Sequence, residues 1–399
     1  MKIADRVARL GTETAFAVSA EATVFAAQGN KVYSFHLGDL NLKTPANVLA
    51  AGIKAMQDGK TNYCANAGVP QLRELLADEV SATRHAQYSM ENVAIQPGGK
   101  PTISKFFLAM MNPGDEVLYP NPGYPIYESQ IEFHGGKAVP YTYIEGKDNF
   151  EIDTDMLERQ ITPRTRLLVL NDLQNPTGAE CSQAELEKIA DLVLKYDLYV
   201  LCDEAYFDIR YEGQSKSLVS LPGMAERCVI LYTFSKKFVM TGWRLGAAIG
   251  PKEIIDVIIK LNVNDESCSN HFVQYAAIEG LTGDQTGAKQ ILSTLKERRD
   301  TIVDFLNTIE GVHCLKPNAT FYLWPNVTGA MKKKGLTSYD SFRKTVLKET
   351  GVSFCTRPHF GRPLKGEDNL YIRLAYSGIE QSEIKEGLEK FKAFIESDV

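Results

Sequence analysis

The chain has 399 residues and a net charge of -6, from 44 basic and 50 acidic side chains; 44% of it is hydrophobic and 24% charged. This is the balance of an ordinary soluble globular protein, and it excludes a disordered chain, a collagen-like repeat and a disulfide scaffold. At roughly 150 residues per domain the length predicts two or three domains, with a core large enough to need no metal or disulfide staples.

The slightly acidic balance predicts no general affinity for nucleic acid, so any anion would be held by local basic residues. No apolar run approaches the roughly 20 residues of a membrane span. Near the start, Lys2, Arg6 and Arg9 precede the small-residue stretch 15–27, with Glu13 beside it and Glu21 within it; this reads as an amphipathic helix rather than a secretory leader. Seven cysteines, at 64, 181, 202, 228, 268, 314 and 355, show no C-x-x-C spacing. They suit a reducing cytoplasm, offer no metal cluster, and are each expected to be a small buried hydrophobe.

In chain order, strand-type runs are predicted at 93–96, 116–119, 137–143, 167–171, 198–203, 228–234 and 244–249. Helical patterns lie between them, at 102–110 and at 183–196, where Leu186, Ile189, Ala190 and Val193 recur at helical spacing. The stretches 167–170 and 229–231 are apolar at nearly every position, as expected of strands covered on both faces. Alternation of this kind is the signature of an α/β fold with a mostly parallel sheet. From about residue 290 the pattern changes. A long helix at 290–307 leads to Gly311, short strands near 321–324 and 370–375, and a last helix at 384–394. The predicted division is a large domain over 46–288 and a smaller α+β domain made of 1–45 and 289–399.

Ligands of parallel sheets sit beyond the carboxyl ends of the strands. After 93–96 comes Pro97-Gly98-Gly99-Lys100, which reads either as a plain tight turn or as a phosphate seat at a helix N-terminus. After 167–170 comes Asn171-Asp172-Leu173-Gln174-Asn175-Pro176-Thr177-Gly178, a turn in which Asn175 could hydrogen-bond a ligand. After 198–202 comes Asp203-Glu204-Ala205-Tyr206. A carboxylate there must find a partner, either a ligand or a helix it caps. After 228–232 come Thr233, Ser235, Lys236, Lys237 and Arg244, hydroxyls and cations suited to a phosphate and to an activated amine. Neither G-x-x-x-x-G-K-[ST] nor a strand-following G-x-G-x-x-G is present.

Taken together, these strand ends resemble the fold-type I pyridoxal-phosphate (PLP) enzymes, specifically the class I/II aminotransferases of the bacterial aspartate/aromatic branch. The resemblance rests on Ser235-Lys236 with Met240-Thr241-Gly242-Trp243-Arg244-Leu245-Gly246, on Asn175-Pro176-Thr177-Gly178 and on Asp203 with Tyr206. Tyr63 followed by Gly68 and Leu72-Arg73, and Ile372-Arg373-Leu374, extend it over about residues 37–379. It implies a seven-stranded, mostly parallel large domain and a homodimer. It also implies that Lys236 carries PLP covalently, Asp203 pairs with the pyridine nitrogen, and Tyr206 and Asn175 meet the ring hydroxyl. Tyr124 would stack on the ring, while Gly99, Lys100, Thr233, Ser235 and Arg244 would hold the phosphate, joined by Tyr63 of the neighbouring subunit. Arg373, with Asn175 and Gly38, would bind the substrate α-carboxylate. The implied reaction moves an amino group from an L-amino acid of aspartate, glutamate or aromatic type to a 2-oxo acid such as 2-oxoglutarate.

The sequence departs from the family pattern at Thr356-Arg357, where relatives often have Pro-Gly. Arg357 or Arg362 is expected either to recognise a distal carboxylate or to belong to a solvated basic loop. Lys100 is a second candidate for that carboxylate, while Asp265 and Glu266 are expected near the mouth of the site. Asn318-Ala319-Thr320 replaces the commoner Ser-Gly-Ala. The eight-residue step to Arg244 favours Lys236 over Lys237 as the PLP lysine. A carbon–sulfur β-lyase on the same scaffold is the alternative. A non-catalytic ligand sensor is disfavoured, because Lys236 is retained and no DNA-binding domain is expected before the match.

Overall fold

The computed structural model describes residues 2–11 and 14–398; Glu13 lies outside them. The seven apolar runs form one sheet: β1 (Val93–Gln96), β2 (Glu116–Pro120), β3 (Lys137–Tyr141), β4 (Thr165–Leu170), β5 (Tyr199–Asp203), β6 (Cys228–Thr233) and β7 (Gly246–Ile249). Their order is β1-β7-β6-β5-β4-β2-β3, and every pairing is parallel except the two made by β7. The predicted run 137–143 breaks after Tyr141. There β2 ends at Pro120, so the chain loses its ladder partner, and Tyr143–Glu145 pairs instead with Phe150–Ile152. β7 starts two residues later than predicted because Arg244 adopts a left-handed backbone, φ 57°.

Alternating side chains of the central strands feed two apolar layers. Leu168, Leu170, Val200 and Ile230 pack with Leu72 and Leu76 of the helix Pro70–Arg84 and with Leu186 and Ile189 of the helix Gln183–Lys195. On the opposite face Leu167, Val169, Leu201 and Val229 pack with Phe106 and Phe107 of the helix Lys100–Met110 and with Ile255 of the helix Lys252–Asn264. The helix at 183 starts where predicted because Ser182 and Glu185 form a reciprocal capping box.

A third cluster joins the two ends of the chain. Tyr33 and Phe35 pack with Leu295 and Ile302 of the helix Thr286–Leu306, with Phe342, and with Leu388 of the helix Gln381–Glu396. Tyr33–Ser34 pairs in parallel with Val352–Ser353. Beside them lies a small antiparallel sheet, β8 (Tyr322–Leu323), β9 (Cys355–Thr356) and β10 (Ile372–Ala375), in the order β8-β10-β9. The helix Ala15–Ala27 forms, but it is not the amphipathic helix expected. Val18 and Ala22 are buried while Phe16 and Val24 are mostly exposed, because its apolar residues run all round it. Five of the seven cysteines are buried, Cys64 and Cys268 are half-buried, and all are unpaired thiols. No helix among the described residues is long and apolar enough to cross a membrane.

Candidate active site

A cavity of about 320 Å³ opens beyond the carboxyl ends of β4, β5 and β6, under the turn that follows β1. At one end Gly98 has φ 101°, and a Cβ there would lie 2.3 Å from Arg244 Nη2. A Cβ on Gly99 would meet Leu231 at 2.9 Å. The two glycines thus let a guanidinium and a strand approach the start of the helix Lys100–Met110, whose first N–H groups have no partner within the helix. Thr233 Oγ1 donates to Ser235 Oγ at 2.8 Å, and the Ser235 N–H donates to Thr233 Oγ1 at 3.2 Å. Arg244 Nη1 donates to Thr241 O at 2.8 Å. Two hydroxyls, a guanidinium and a helix N-terminus therefore line one wall, a donor set matched to a phosphate.

At the other end stands Asp203, the last residue of β5 and buried. It caps no helix; a turn follows, and Asp203 Oδ1 accepts from the Ala205 N–H at 3.1 Å. Tyr127 Oη donates to Asp203 Oδ2 at 2.5 Å, and Asn171 Nδ2 donates to the Asp203 carbonyl at 3.0 Å. Burial pushes the Asp203 carboxyl above its ordinary pKa, and the Tyr127 hydrogen bond opposes this. The Tyr206 and Tyr322 hydroxyls share a hydrogen bond of 2.7 Å, and burial holds the Tyr206 phenol protonated.

Between the two ends, Lys236 Nζ donates to Gly38 O at 3.3 Å. A Cβ on Gly38 would collide with the Tyr322 hydroxyl at 2.2 Å, so this approach needs glycine. Arg373, from β10, is 4% exposed and lies between the Tyr322 and Phe360 rings, 4.8 and 4.7 Å from their centroids. Its Nη1 donates to Asn175 Oδ1 at 3.3 Å and its Nη2 to His36 O, whereas its Nε is buried with no hydrogen-bond partner. An orphaned buried guanidinium N–H, a donor-lined wall, a buried carboxylate opposite and a lysine amine between them fit PLP with an amino-acid substrate.

Twelve of the fourteen residues given a site role by the sequence line this cavity, and two do not. Arg357 is the correction: it is 2% exposed, and its Nη2 donates to Glu367 Oε1 at 2.6 Å and to Asn121 Oδ1 at 2.7 Å. It fastens the 357–367 loop to the turn after β2 and does not line the cavity. Tyr63 is 85% exposed and also lies outside this chain's cavity. Arg362 pairs with Glu128 and Glu132, each at 2.9 Å, and Lys237 pairs with Asp208 at 3.2 Å. Glu266 is bound to the buried Lys105, and Asp265 caps the C-terminal end of the helix Lys252–Asn264. Lys100 Nζ lies 5.8 Å from the Tyr124 ring centroid, and both residues line the cavity. Tyr127, Tyr322 and Asn171 also line it but carried no assigned role in the sequence reading. The strand-end position of Asn171 and the three-residue step from Tyr124 to Tyr127 were the available signals.

The family model described as aminotransferase class I and II matches residues 30–391. The chain is 32% identical to the asparagine–oxo-acid transaminase of Streptococcus mutans, over 99% of both chains. It is also 32% identical to the aspartate aminotransferase of Geobacillus stearothermophilus, over 100% of both. Its fold superposes on the aspartate aminotransferase from Thermus thermophilus with maleate at a TM-score of 0.89 and 28% identity, covering 99% of this chain and 100% of that one. With this agreement of sequence, fold and site chemistry, the chain belongs to the class I and II aminotransferases: it is a PLP-dependent enzyme that transfers amino groups between amino acids and 2-oxo acids.

Proposed function

We propose that the amino donor is aspartate or its amide, and that the acceptor is a 2-oxo acid such as 2-oxoglutarate. The observation that carries this reading is the set of four lysines and arginines lining the cavity, Lys100, Lys236, Arg244 and Arg373. Arg244 lies at the phosphate wall and Lys236 at the reacting centre. Arg373, with its buried unpartnered Nε, takes the α-carboxylate as a bidentate pair. Lys100 also lines the cavity and is read as meeting a second polar group on the substrate. The names of the two relatives, one for asparagine and one for aspartate, agree with this assignment.

When bound, PLP supplies an aldehyde for the amino group and a ring that accepts the electrons left on the substrate Cα. Asp203 holds the proton on the ring nitrogen, supported by Tyr127. Tyr206 and Asn175 would hydrogen-bond the ring hydroxyl, and Tyr124 would stack on the ring. The backbone N–H groups of Gly99 and Lys100, with Thr233 and Ser235, would join Arg244 on the phosphate. Lys236 would carry PLP, and its Nζ, once free, would serve as the positioned general base for the substrate Cα proton. The Gly38 backbone, Asn175 and Arg373 would hold the α-carboxylate.

The active form in this proposal is a homodimer in the cytoplasm. Leu49, Ile53 and Met56 make an exposed apolar stripe on the helix Ala46–Gln57 and supply a surface for a second copy. Tyr63 is mostly exposed and is read as reaching the neighbour's phosphate. The unpaired cysteines suit a reducing compartment. The site lies between a large domain, 46–288, and a small one, 1–45 with 289–399. The test is a donor screen against 2-oxoglutarate, pyruvate and oxaloacetate. A kcat/KM for aspartate or asparagine above that for alanine and phenylalanine supports the reading; a preference for either neutral donor overturns it.

A further inference from the structure

Asp203 ends β5 at the start of one turn, and Lys236 stands on another turn, after β6. The ladder between these strands ends at the pair Asp203 and Leu231, where the Glu204 N–H donates to Leu231 O at 3.2 Å, and the residues beyond Glu204 lie outside it. Five charged side chains gather behind those turns, away from the cavity. Arg84, the last residue of the helix Pro70–Arg84, is fully buried. Its Nε donates to Glu204 Oε2 at 3.0 Å and its Nη1 to Glu79 Oε1 at 3.2 Å. Its guanidinium carbon lies 3.5 Å from the centroid of the Phe207 ring. Arg84 therefore grips the residue after Asp203 and the residue after Tyr206. The next residue, Asp208, pairs with Lys237 Nζ at 3.2 Å, and Lys237 is the neighbour of Lys236. Phe207 and Asp208 are adjacent in the chain, so the Arg84 contacts and the Asp208–Lys237 pair meet there, and the Glu79 carboxyl feels the charges of Arg84 and Lys237 against the like charge of Asp208.

We propose that Arg84 and Lys237 are positioning residues: through Glu204, Phe207 and Asp208 they lock the Asp203 turn and the Lys236 turn into one register. A buried ion pair adds little stability over an apolar packing of the same volume, but removing one partner strands the other, which makes such a pair a stringent geometric constraint. This inference rests on the reading that Asp203 and Lys236 act on PLP.

The test uses the PLP-loaded enzyme and reads the visible PLP absorption band as a function of pH, together with kcat, KM and thermal stability. Lys237→Met and Asp208→Asn lie at the quarter-exposed end of the network and leave the buried Arg84–Glu204 pair intact. Each is expected to displace the midpoint of the band's pH titration and to lower kcat about tenfold, the loss typical of a removed supporting contact, with KM unchanged. The double variant is expected to be no worse than the poorer single one, because both act through one contact. Lys237→Arg, which keeps the charge, restores both readouts. Phe207→Leu displaces the band in the same way from the other end of the network. A titration midpoint and kcat like wild type in Lys237→Met and Asp208→Asn, with or without lower thermal stability, would overturn the proposal. A wild-type protein with no visible PLP band after reconstitution would instead overturn the reading of Lys236, and this proposal with it.

Discussion

Tyr127 donates a 2.5 Å hydrogen bond to Asp203 Oδ2 where both side chains are buried, and this bond works against what burial does to the acid. Burial alone favours the neutral carboxyl; the phenol favours the carboxylate that a protonated ring nitrogen requires. The pair therefore links the sheet-covering helix Ile126–Phe133 to the electronics of the site. Removing the hydroxyl in Tyr127→Phe lets the Asp203 pKa rise further. The acid limb of the kcat/KM profile is expected to move to higher pH, and kcat at neutral pH to fall about tenfold, as for one lost hydrogen bond to a charged group. The pH–rate profile of the variant checks both.

Arg373 and Arg357 are both buried arginines of the C-terminal third, and the structure separates their roles. Arg373→Leu is expected to lower kcat/KM for every amino donor by roughly a hundredfold, since two charge-assisted hydrogen bonds at about 1.5 kcal/mol each are lost. Arg357→Met removes the guanidinium from Glu367 and leaves Asn121 Oδ1 without its donor, and it is expected to destabilise the fold by about 3 kcal/mol. The ratio of kcat/KM for aspartate to that for alanine stays at its wild-type value in Arg357→Met. Denaturation curves and donor kinetics on the two variants distinguish them.

Lys236→Ala is expected to abolish transamination while the protein still takes up PLP noncovalently, because the phosphate wall of Thr233, Ser235 and Arg244 is untouched. Dialysis should then strip the cofactor faster than from wild type. Retained turnover would move the role of the amine elsewhere.

Glu116 offers a pH test of stability away from the site. Its carboxylate accepts from Thr162 Oγ1 at 2.6 Å, Lys137 Nζ at 2.9 Å and Arg164 Nη2 at 3.0 Å. These contacts, the Thr162 hydrogen bond foremost, hold its pKa down at about 2. A folded pKa below the unfolded value stabilises the fold above the unfolded pKa, and that stability fades as pH falls toward the folded one. Glu116→Gln is thus expected to lower Tm at pH 7, and the gap to wild type should narrow between about pH 4.5 and pH 2. Melting curves across that range read it.

Much of the site was legible because its chemistry is concentrated where apolar runs stop. Asp203 and Thr233 end, and Asn175 and Lys236 follow, strands that runs of hydrophobic residues already mark. Tyr127 was not, because a tyrosine in a helix beside isoleucines looks like core, and its acceptor lies 76 residues further on. Arg357 was misread for the same reason: Asn121, which anchors it, is 236 residues away, so a buried strut resembled a free cation. The break after Tyr141 depends on where a neighbouring strand runs out, a property of the sheet and not of the run itself.

The most direct test of the account follows the nitrogen. The purified, PLP-loaded protein is given L-aspartate labelled with nitrogen-15 and unlabelled 2-oxoglutarate, and the products are resolved by NMR or mass spectrometry. The account predicts that the label appears in glutamate, with oxaloacetate formed in equal amount. Label released as ammonia, with no labelled glutamate, would contradict it.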